Sequence, residues 1–185
     1  MDCKLTILIP TLPKRVHLLN RLLQVLLPQV DENVVEVLFN SDRGITIGEK
    51  RNRMMAQATG KYVAFIDDDD LVSNDYISSL MPGLDADVDC CGLTGLYKPD
   101  NAKEQLFIHS IAYTEFFERD KILYRCPNHL NAIKRELALH CAFPHWDRSE
   151  DSNYAFSLRD KGLLKTEHQV HNIIYYYEYI SDKTY

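Results

Sequence analysis

The sequence predicts an α/β domain in which helices flank a central, mostly parallel sheet. From the N-terminus onward, short apolar runs typical of buried strands alternate with segments whose apolar residues recur at helical spacing. A strand, a helix and another strand in succession form a parallel pair joined by a right-handed crossover. The 185 residues contain no repeat, linker or low-complexity segment, and this length suits one domain. We therefore expect a single domain over residues 1–185.

The first half of the chain alternates regularly between strands and helices. The apolar stripe that begins at Val16 ends near Pro28, because proline cannot continue a helix. The helix that begins at Ile47 is closed by Thr59-Gly60, a typical helix end. The predicted elements are strands over Leu5–Ile9, Val34–Phe39 and Lys61–Ile66, and helices over Val16–Leu27 and Ile47–Ala58.

The second half is less regular, and shorter patterns predict its elements. A helix is expected after Asn74, where acidic and amide side chains suit a helix start. The other predicted elements are strands over Val88–Leu93, Leu106–Ile108 and Ile173–Tyr177, a short amphipathic segment over Tyr113–Phe117, and helices over Asn131–His140 and Asp151–Lys161.

Four consecutive aspartates, Asp67 to Asp70, follow the apolar residues of the third predicted strand. Unit charges about 4 Å apart repel by roughly 1 kcal/mol in bulk water and about 4 kcal/mol near a protein surface, so the cluster predicts a bound cation. Hard ions such as Mg²⁺ and Mn²⁺ favour carboxylate oxygen and commonly also bind substrate phosphates. Ligands of parallel sheets bind beyond the carboxyl ends of the strands. We therefore expect a metal diphosphate at this edge.

Two other interpretations of the aspartates stay open. An acidic turn before the helix that follows Asn74 would favour the helix N-terminus. The run from Asp68 to Val72 also fits the Asp-x-Asp-x-Thr/Val pattern of haloacid-dehalogenase phosphatases, in which the first aspartate is a phosphoryl-accepting nucleophile. An EF-hand is excluded, because Val72 and Ser78 occupy the positions at which that loop needs glycine and glutamate.

Charge and cysteine content narrow the class of protein. The net charge of −6 provides no global positive field for nucleic acid or anionic membrane. Five cysteines, an odd number without Cys-x-x-Cys spacing, predict reduced and mostly buried thiols. The chain begins with a strand-like run instead of a basic leader, and no apolar stretch approaches about 18 residues. We therefore expect a cytoplasmic protein without a transmembrane segment, with peripheral membrane contact left open.

Two common nucleotide-binding motifs are missing from the sequence. It has no Gly-x-x-x-x-Gly-Lys-Ser/Thr loop, and the first predicted strand runs into Pro10-Thr11-Leu12-Pro13 instead of a glycine-rich turn. Kinase-type, P-loop and dinucleotide-dependent functions are therefore disfavoured.

A series of short motifs runs through most of the chain: Ile7–Thr11, Asn40–Asp42, Gly48–Asn52, Gly60–Asp70 and Ser149–Asp151. In order and spacing they resemble the GT-A fold nucleotide-sugar glycosyltransferases, especially the inverting family-two type. The chain is most similar to short stand-alone domains of this kind from bacteria, phages and large DNA viruses. The resemblance implies a GT-A, Rossmann-like fold with a nucleotide-sugar donor half over residues 1–95 and an acceptor half over residues 96–185.

The resemblance implies that the donor nucleotide lies at the ends of the first strands. Pro10 and Thr11 would lie under the nucleotide, with Arg15 nearby, and Asp42 would accept a hydrogen bond from the uracil ring. Arg51 would approach the base or a phosphate, which an arginine fork binds bidentately. A turn residue for Asp42 and a solvated helix charge for Arg51 are the structural alternatives.

The family pattern Asp-x-Asp matches Asp67-Asp68-Asp69 best. The resemblance implies that Asp67 and Asp68 approach the ribose or ordered water, and that Asp69 ligates a Mn²⁺ or Mg²⁺ ion bridging the diphosphate. Such a metal acts as a Lewis acid for the departing nucleoside diphosphate. The register of the motif stays open by one residue, and capping of the following turn is the alternative role for Asp70.

Glu150 and Asp151 open a predicted helix, and the Glu-Asp pair of the family at this place includes the base that deprotonates the acceptor hydroxyl. By that resemblance Asp151 is assigned as the base and Glu150 as its reserve, since a carboxylate suits general base catalysis. N-terminal capping is the structural alternative. His168 and His171 lie where some GT-A enzymes place a further metal ligand, although exposed or core histidines are commoner.

We therefore expect a metal-dependent glycosyltransferase that moves a sugar from a nucleoside diphosphate sugar, with UDP-sugar favoured, to a hydroxyl of a glycan or lipid-linked glycan, with inversion. Three alternatives stay open, namely glycosylation of hydroxymethylated phage DNA, a haloacid-dehalogenase-type phosphatase and a non-catalytic nucleotide-binding module. Acceptor specificity is assigned to the segment from Leu96 to Trp146, whose aromatic side chains suit stacking on sugar faces. They are His109, Tyr113, Phe116, Phe117, Tyr124, His129 and Trp146.

Overall fold

The computed structural model describes residues 3–99 and 103–179, and the strands found there belong to one ten-stranded sheet. The strands are β1 (Leu5–Pro10), β2 (Val35–Asn40), β3 (Tyr62–Phe65), β4 (Leu71–Val72), β5 (Cys90–Pro99), β6 (Gln105–His109), β7 (Phe117–Arg119), β8 (Ile122–Arg125), β9 (Ile133–Lys134) and β10 (Glu167–Tyr179). The α-helices are α1 (Val16–Leu26), α2 (Ile47–Gln57), α3 (Tyr76–Asp85), α4 (Arg135–Ala138) and α5 (Glu150–Asp160).

Strands β2, β1 and β3 lie side by side and parallel, as the alternation of strands and helices predicts. Every residue of β1 is buried, because helices cover both faces of this part of the sheet. Ile7 and Ile9 of β1 pack in one core cluster with Leu22 of α1. Leu8 belongs to the other cluster, together with Met54 of α2. The carboxyl ends of these three strands therefore meet at one edge.

The second half of the chain extends the same sheet with strands of both directions. Strand β9 pairs antiparallel with β3 and with β5, and β6 is antiparallel to β5. The long strand β10 runs parallel to β5 and antiparallel to the short β4. Parallel pairs join most of the paired residues, so the predicted mostly parallel sheet is confirmed.

The helix predicted over Asn131–His140 is wrong in its first part. Strand β9 lies there, and only the single helical turn of α4 follows it. Ile133 pairs with both β3 and β5, and Asn131 Nδ2 donates to the carbonyl oxygen of Cys91 at 2.8 Å. Pairing with the sheet therefore overrides the local helical pattern.

Two strands are longer than the sequence pattern indicates. The strand predicted over Ile173–Tyr177 is the central part of β10, and the strand predicted over Val88–Leu93 continues to the end of β5, because the two strands pair along most of their lengths. The amphipathic segment over Tyr113–Phe117 is a bend that leads into β7. The hydroxyl oxygen of Tyr175 accepts a hydrogen bond from Asp67 N at 3.3 Å, so β10 reaches the aspartate run.

A close contact between α2 and the loop before α5 joins the two halves of the chain. A Cβ added at Gly48 would collide with the carbonyl group of Pro144, so the packing requires glycine there. Gly48 N donates to the carbonyl oxygen of Trp146 at 3.1 Å, and Ile47 N donates to Asp147 Oδ1 at 3.0 Å. These contacts fix the start of α2 against the segment that leads to α5.

The cysteines are all free, as the sequence predicts, and only Cys3 is partly exposed. Cys90 and Cys91 are consecutive on β5 and face opposite sides of the sheet, so each packs in a different core cluster. Within residues 3–99 and 103–179, helices long and apolar enough to cross a membrane are absent.

Candidate active site

Two adjoining cavities lie at the carboxyl ends of β1 and β3, beside the start of α5. The larger, here called the large cleft, has a volume of about 570 Å³. The smaller, here called the inner pocket, has a volume of about 70 Å³. Asp67, His129, Asp151 and Tyr177 line both cavities. Most side chains predicted to bind the nucleotide sugar or its metal line the large cleft: Pro10, Thr11, Arg15, Arg51, Asp67, Asp68 and Asp69.

Arg51 forms ion pairs that link the end of β3 to the start of α5. Its Nη2 lies 2.6 Å from Asp67 Oδ1, and its Nη1 contacts Glu150 Oε1. The side chain of Arg51 is 4% exposed and lies against the rings of Phe65 and Phe143. Burial would raise the pKa of Asp67, but the positive charge of Arg51 lowers it below its usual value. Arg51 therefore holds two carboxylates in place.

These ion pairs bear on the roles predicted for Arg51 and Glu150. Both terminal nitrogens of Arg51 contact carboxylates, so a base or phosphate would have to bind the remaining N–H groups of the guanidinium. Its nucleotide-binding role stays a prediction. Glu150 is buried, and burial raises its pKa although Arg51 opposes the increase. The predicted reserve base thus lies inside the ion-pair network.

Asp151 lies in the first turn of α5, half-buried, at the boundary of the two cavities. Ser149, just before the helix, has φ 61° and ψ 11° in the left-handed region and makes no side-chain cap. A residue other than glycine in this conformation costs about 1–3 kcal/mol, and such strain is concentrated at functional sites. Capping by Ser149 therefore does not explain the acidic pair that follows it.

The loop after β1 holds the side chains of Asp68 and Asp69. Thr11 Oγ1 donates to Asp68 Oδ2 at 2.7 Å, and Arg15 Nε and Nη2 donate to the two oxygens of Asp68 at 3.1 and 2.5 Å. Arg15 Nη2 also lies 3.0 Å from Asp69 Oδ2. Burial raises the pKa of Asp68, and the bonds from Thr11 and Arg15 offset only part of the increase. One arginine thus faces two consecutive carboxylates.

Asp70 ties the aspartate run to β10. It is 1% exposed, and its two carboxylate oxygens accept hydrogen bonds from Tyr175 Oη at 2.7 Å and from Glu178 N at 3.0 Å. Burial and the neighbouring charges of Asp67 and Asp69 raise the pKa of Asp70 well above its usual value. The predicted capping of the following turn by Asp70 is therefore wrong, because its acceptor atoms are used on β10.

Lys50 is a charged residue of the large cleft to which the sequence motifs gave no role. Its Nζ donates to the carbonyl oxygen of Thr11 at 2.7 Å, and it is buried. Burial lowers the pKa of Lys50, and the charges of Asp42 and Asp68 oppose the decrease. Asp42 itself is exposed just after β2 and stands outside the described lining of the large cleft. Its predicted contact with uracil stays a prediction.

Two buried histidines line the inner pocket. His129, in the loop between β8 and β9, is 6% exposed, and its Nε2 lies 3.5 Å from Asp67 Oδ2. Its Nδ1 has no hydrogen-bond partner among the described residues, and the contact through Nε2 helps to lower the pKa of Asp67. His109 Nδ1 lies 3.0 Å from Asn131 Oδ1, and burial lowers the pKa of His109 to about 3. His109 is therefore neutral near pH 7.

Four of the seven residues predicted to stack on sugars fall into two groups. Tyr113, Phe117 and Tyr124 pack on one another, with the rings of Phe117 and Tyr124 stacked 5.0 Å apart. Trp146 is 52% exposed, next to Asp147 of the large cleft. The first group stabilises the β7–β8 hairpin, and Trp146 retains a surface on which a ring can stack.

The family described as glycosyl transferase family 2 matches residues 15–145. This range covers most of the chain and includes Arg51 and the aspartate run. The chain belongs to glycosyl transferase family 2. The match ends before Glu150, so the role of the acidic pair at the start of α5 depends on geometry. Membership of family 2 contradicts the phosphatase alternative.

Solved structures with the same fold include TarS of S. aureus. TarS residues 1–349 in complex with UDP-GlcNAc superpose with a TM-score of 0.65 and 14% identity over 97% of this chain. The complex of the same protein with UDP has a TM-score of 0.63 and 15% identity over 95% of this chain. The chain spans 60% of the length of these TarS chains. The likeness confirms the predicted GT-A fold. Curated proteins contain no sequence match to this chain.

The donor set of the aspartate run fits the metal that the GT-A fold implies. Carboxylates suit Mg²⁺ and Mn²⁺, and Asp69 lines the large cleft. Within the described residues there is no group of three acidic, cysteine or histidine side chains arranged to hold a metal alone, and such ions commonly use one or two carboxylates with substrate phosphates. His168 packs beside Gly83 of α3, and His171 is exposed at a bulge of β10, so both lie apart from the aspartates.

Proposed function

We propose that this family 2 protein moves a sugar from UDP-sugar to a hydroxyl of a glycan or lipid-linked glycan, with inversion at the sugar carbon. The observation that carries the proposal is the position of Asp151 at the boundary of the large cleft and the inner pocket. A base at that boundary can reach an acceptor in one cavity and the sugar of a donor in the other. The TarS complexes with UDP-GlcNAc and UDP support a UDP-linked donor.

The large cleft would hold the nucleotide and its diphosphate. Pro10 and Thr11 form one wall of the cleft, and Lys50 adds a buried positive charge 2.7 Å from the carbonyl oxygen of Thr11. Arg15 supplies a second positive charge beside the aspartates. Positive groups in a cleft shielded from water stabilise a bound diphosphate more strongly than exposed ones do.

Asp69 would hold the Mn²⁺ or Mg²⁺ ion, with the diphosphate as the other main ligand. The ion would supply Lewis-acid stabilisation of the departing UDP. Asp67 and Asp68 would form the polar wall near the ribose, in the positions set by their arginine partners. The residues of this chain therefore bind and orient the donor, and the ion pairs keep the wall rigid.

Asp151 would act on the acceptor. Its carboxylate accepts the proton of the acceptor hydroxyl while the hydroxyl oxygen bonds to the anomeric carbon and the bond from that carbon to the diphosphate oxygen breaks. A single displacement of this kind inverts the configuration at the sugar carbon. Glu150 would act as a positioning residue, because its contact with Arg51 fixes the first turn of α5.

Two measurements test the proposal. Calorimetric titration with UDP should show binding in the presence of Mn²⁺ and little binding after chelation, because carboxylates without a metal repel the diphosphate. Tritiated UDP-sugars incubated with glycans, lipid-linked glycans and hydroxymethylated DNA should then label a saccharide acceptor. Equal UDP affinity with and without metal would contradict the metal bridge. Labelling of DNA alone would replace the glycan acceptor, and binding without any transfer would favour a non-catalytic module.

A further inference from the structure

The inner pocket contains a positive charge that the donor site does not use. Arg125, at the end of β8, lines the pocket with Asp151, and its guanidinium lies 5.2 Å from the ring centroid of Phe116. Among the described residues, no carboxylate forms an ion pair with the Arg125 guanidinium. The guanidinium contacts the ring of Phe116 and has a longer-range electrostatic effect on groups such as His109. A half-buried arginine without a counter-ion favours binding of an anion.

The other polar groups of the inner pocket are compatible with a hydroxylated ligand. Asn131 Oδ1 accepts a hydrogen bond from Asn128 N at 3.0 Å, so it is an acceptor toward His109 Nδ1, which must carry the hydrogen. His109 Nε2 is therefore an acceptor. His129 is more than nine-tenths buried and lines both cavities. Its Nε2 faces Asp67 Oδ2 at 3.5 Å, and its Nδ1 has no hydrogen-bond partner among the described residues. Such groups are costly unless a ligand or water completes their bonding.

The acids of the inner pocket leave room for an anion near Arg125. Asp67 is paired with Arg51, and Asp70 accepts hydrogen bonds from β10. Asp151 has no ion-pair partner among the described residues, Arg125 included, so the positive and negative groups lie at separate places in the pocket. A ligand with an anionic group and a hydroxyl can therefore contact Arg125 with the first and Asp151 with the second.

The volume of the inner pocket limits what enters it. A cavity of about 150 Å³ accommodates a benzene ring, whereas the inner pocket measures about 70 Å³. The inner pocket therefore suits one substituent of a larger acceptor, whose remainder would lie outside the pocket.

We propose that the inner pocket binds a phosphate or carboxylate substituent of the acceptor, and that Arg125 is the residue that selects this anionic group. The inference rests on the proposed function, because it assigns the hydroxyl of the same acceptor to Asp151. Arg125 binds the anionic substituent while Asp151 binds the hydroxyl of the same acceptor, so neutral sugars bind poorly. The ligand class is a hydroxylated saccharide or polyol with an anionic oxygen group near the reacting hydroxyl.

The experiment compares three small probes on the full chain. Glucose, glucose 6-phosphate and glucuronate are titrated, with and without saturating UDP and Mg²⁺, and ligand-observed NMR gives their dissociation constants. We expect at least one anionic probe to bind about tenfold or more tightly than glucose, as a charge-assisted contact implies. The stronger anionic probe distinguishes a phosphate from a carboxylate substituent. Equal affinity for all three probes would overturn the proposal.

Variants assign the preference to a residue. Arg125→Gln should abolish the preference for the anionic probe, and Arg125→Lys should keep part of it. Arg119→Gln is the matched control, because Arg119 is exposed on the neighbouring strand β7 and also lies over an aromatic ring. A preference that survives Arg125→Gln would overturn the assignment. UDP affinity is measured in each variant, so absence of UDP binding would contradict the proposed function while the probe titrations without UDP still decide the role of Arg125.

Discussion

Replacement of Arg51 by methionine tests the ion-pair network that joins the donor wall to the acidic pair of α5. The change keeps most of the apolar contact with Phe65 and Phe143 but removes the positive charge between Asp67 and Glu150. The side chains of Arg51 and Glu150 are 4% and 7% exposed, and that of Asp67 is 29% exposed. If the positive charge of Arg51 is removed, water can therefore stabilise the charge of Glu150 less than that of Asp67.

Removing one partner of a buried ion pair costs about 3–5 kcal/mol, and we expect a loss of this size in the free energy of unfolding. For a protein of this length, that corresponds to a fall of roughly 6–20 °C in Tm. Urea denaturation followed by circular dichroism at pH 7 measures the loss. Adding Glu150→Gln to Arg51→Met should recover a large part of it, because the buried negative charge is then removed.

Arg53→Met is the matched control for Arg51→Met. Arg53 lies two residues further along α2, with its side chain 49% exposed and in contact with Glu49 and Asp42. Exposed ion pairs of this kind contribute about 0–1 kcal/mol, so the control should lose little stability. A loss below about 1 kcal/mol for Arg51→Met, or no recovery in the double variant, would refute the role given to the network.

Two further changes test the site itself. Asp69→Asn should weaken metal-dependent UDP binding about tenfold or more, whereas Asp151→Asn should leave UDP binding unchanged and lower transfer by about 100-fold or more. Calorimetry measures the first effect and a transfer assay the second, with Asp160→Asn at an exposed position of α5 as the control. Full transfer by Asp151→Asn would place the base elsewhere. His109→Gln should flatten the acid side of the stability profile. Since burial lowers the pKa of His109 from 6.5 to about 3, the unfolded chain binds one proton more between these values, and stability falls toward acid by up to about 1.4 kcal/mol per pH unit; equal slopes for both proteins in urea unfolding between about pH 6.5 and pH 4 would contradict this.

The parts of the fold that local pattern determines were predictable. The apolar residues of β1 and β3 and the helical spacing of α1 indicate a parallel sheet, and the aspartate run follows β3 directly, so its place at the sheet edge needed no distant information. The roles of Arg51 and Asp70 depend on partners 99 and 105 residues away along the chain. Lys50 resembles any helix lysine until α2 is placed beside the end of β1.

The wrong prediction of a helix over Asn131–His140 also arises from contacts between residues that are distant in sequence. Its first residues satisfy the backbone of β5 and pair with strands on both sides, and these partners are distant in sequence. The inner pocket was missed in the same way, because β6, β8 and α5 each contribute side chains to it. Spacing within one segment contains no information on such convergence.

Four consecutive carboxylates coexist here because their partners come from different elements. Asp67 and Asp68 each pair with an arginine, Asp70 is held by hydrogen bonds from β10, and Asp69 shares the arginine of Asp68. A divalent cation on Asp69 would therefore compete with that arginine for one carboxylate. A bound diphosphate offers the arginine an alternative anion, which lowers the cost of releasing Asp69. The site is thus expected to favour joint binding of metal and diphosphate over binding of the metal alone.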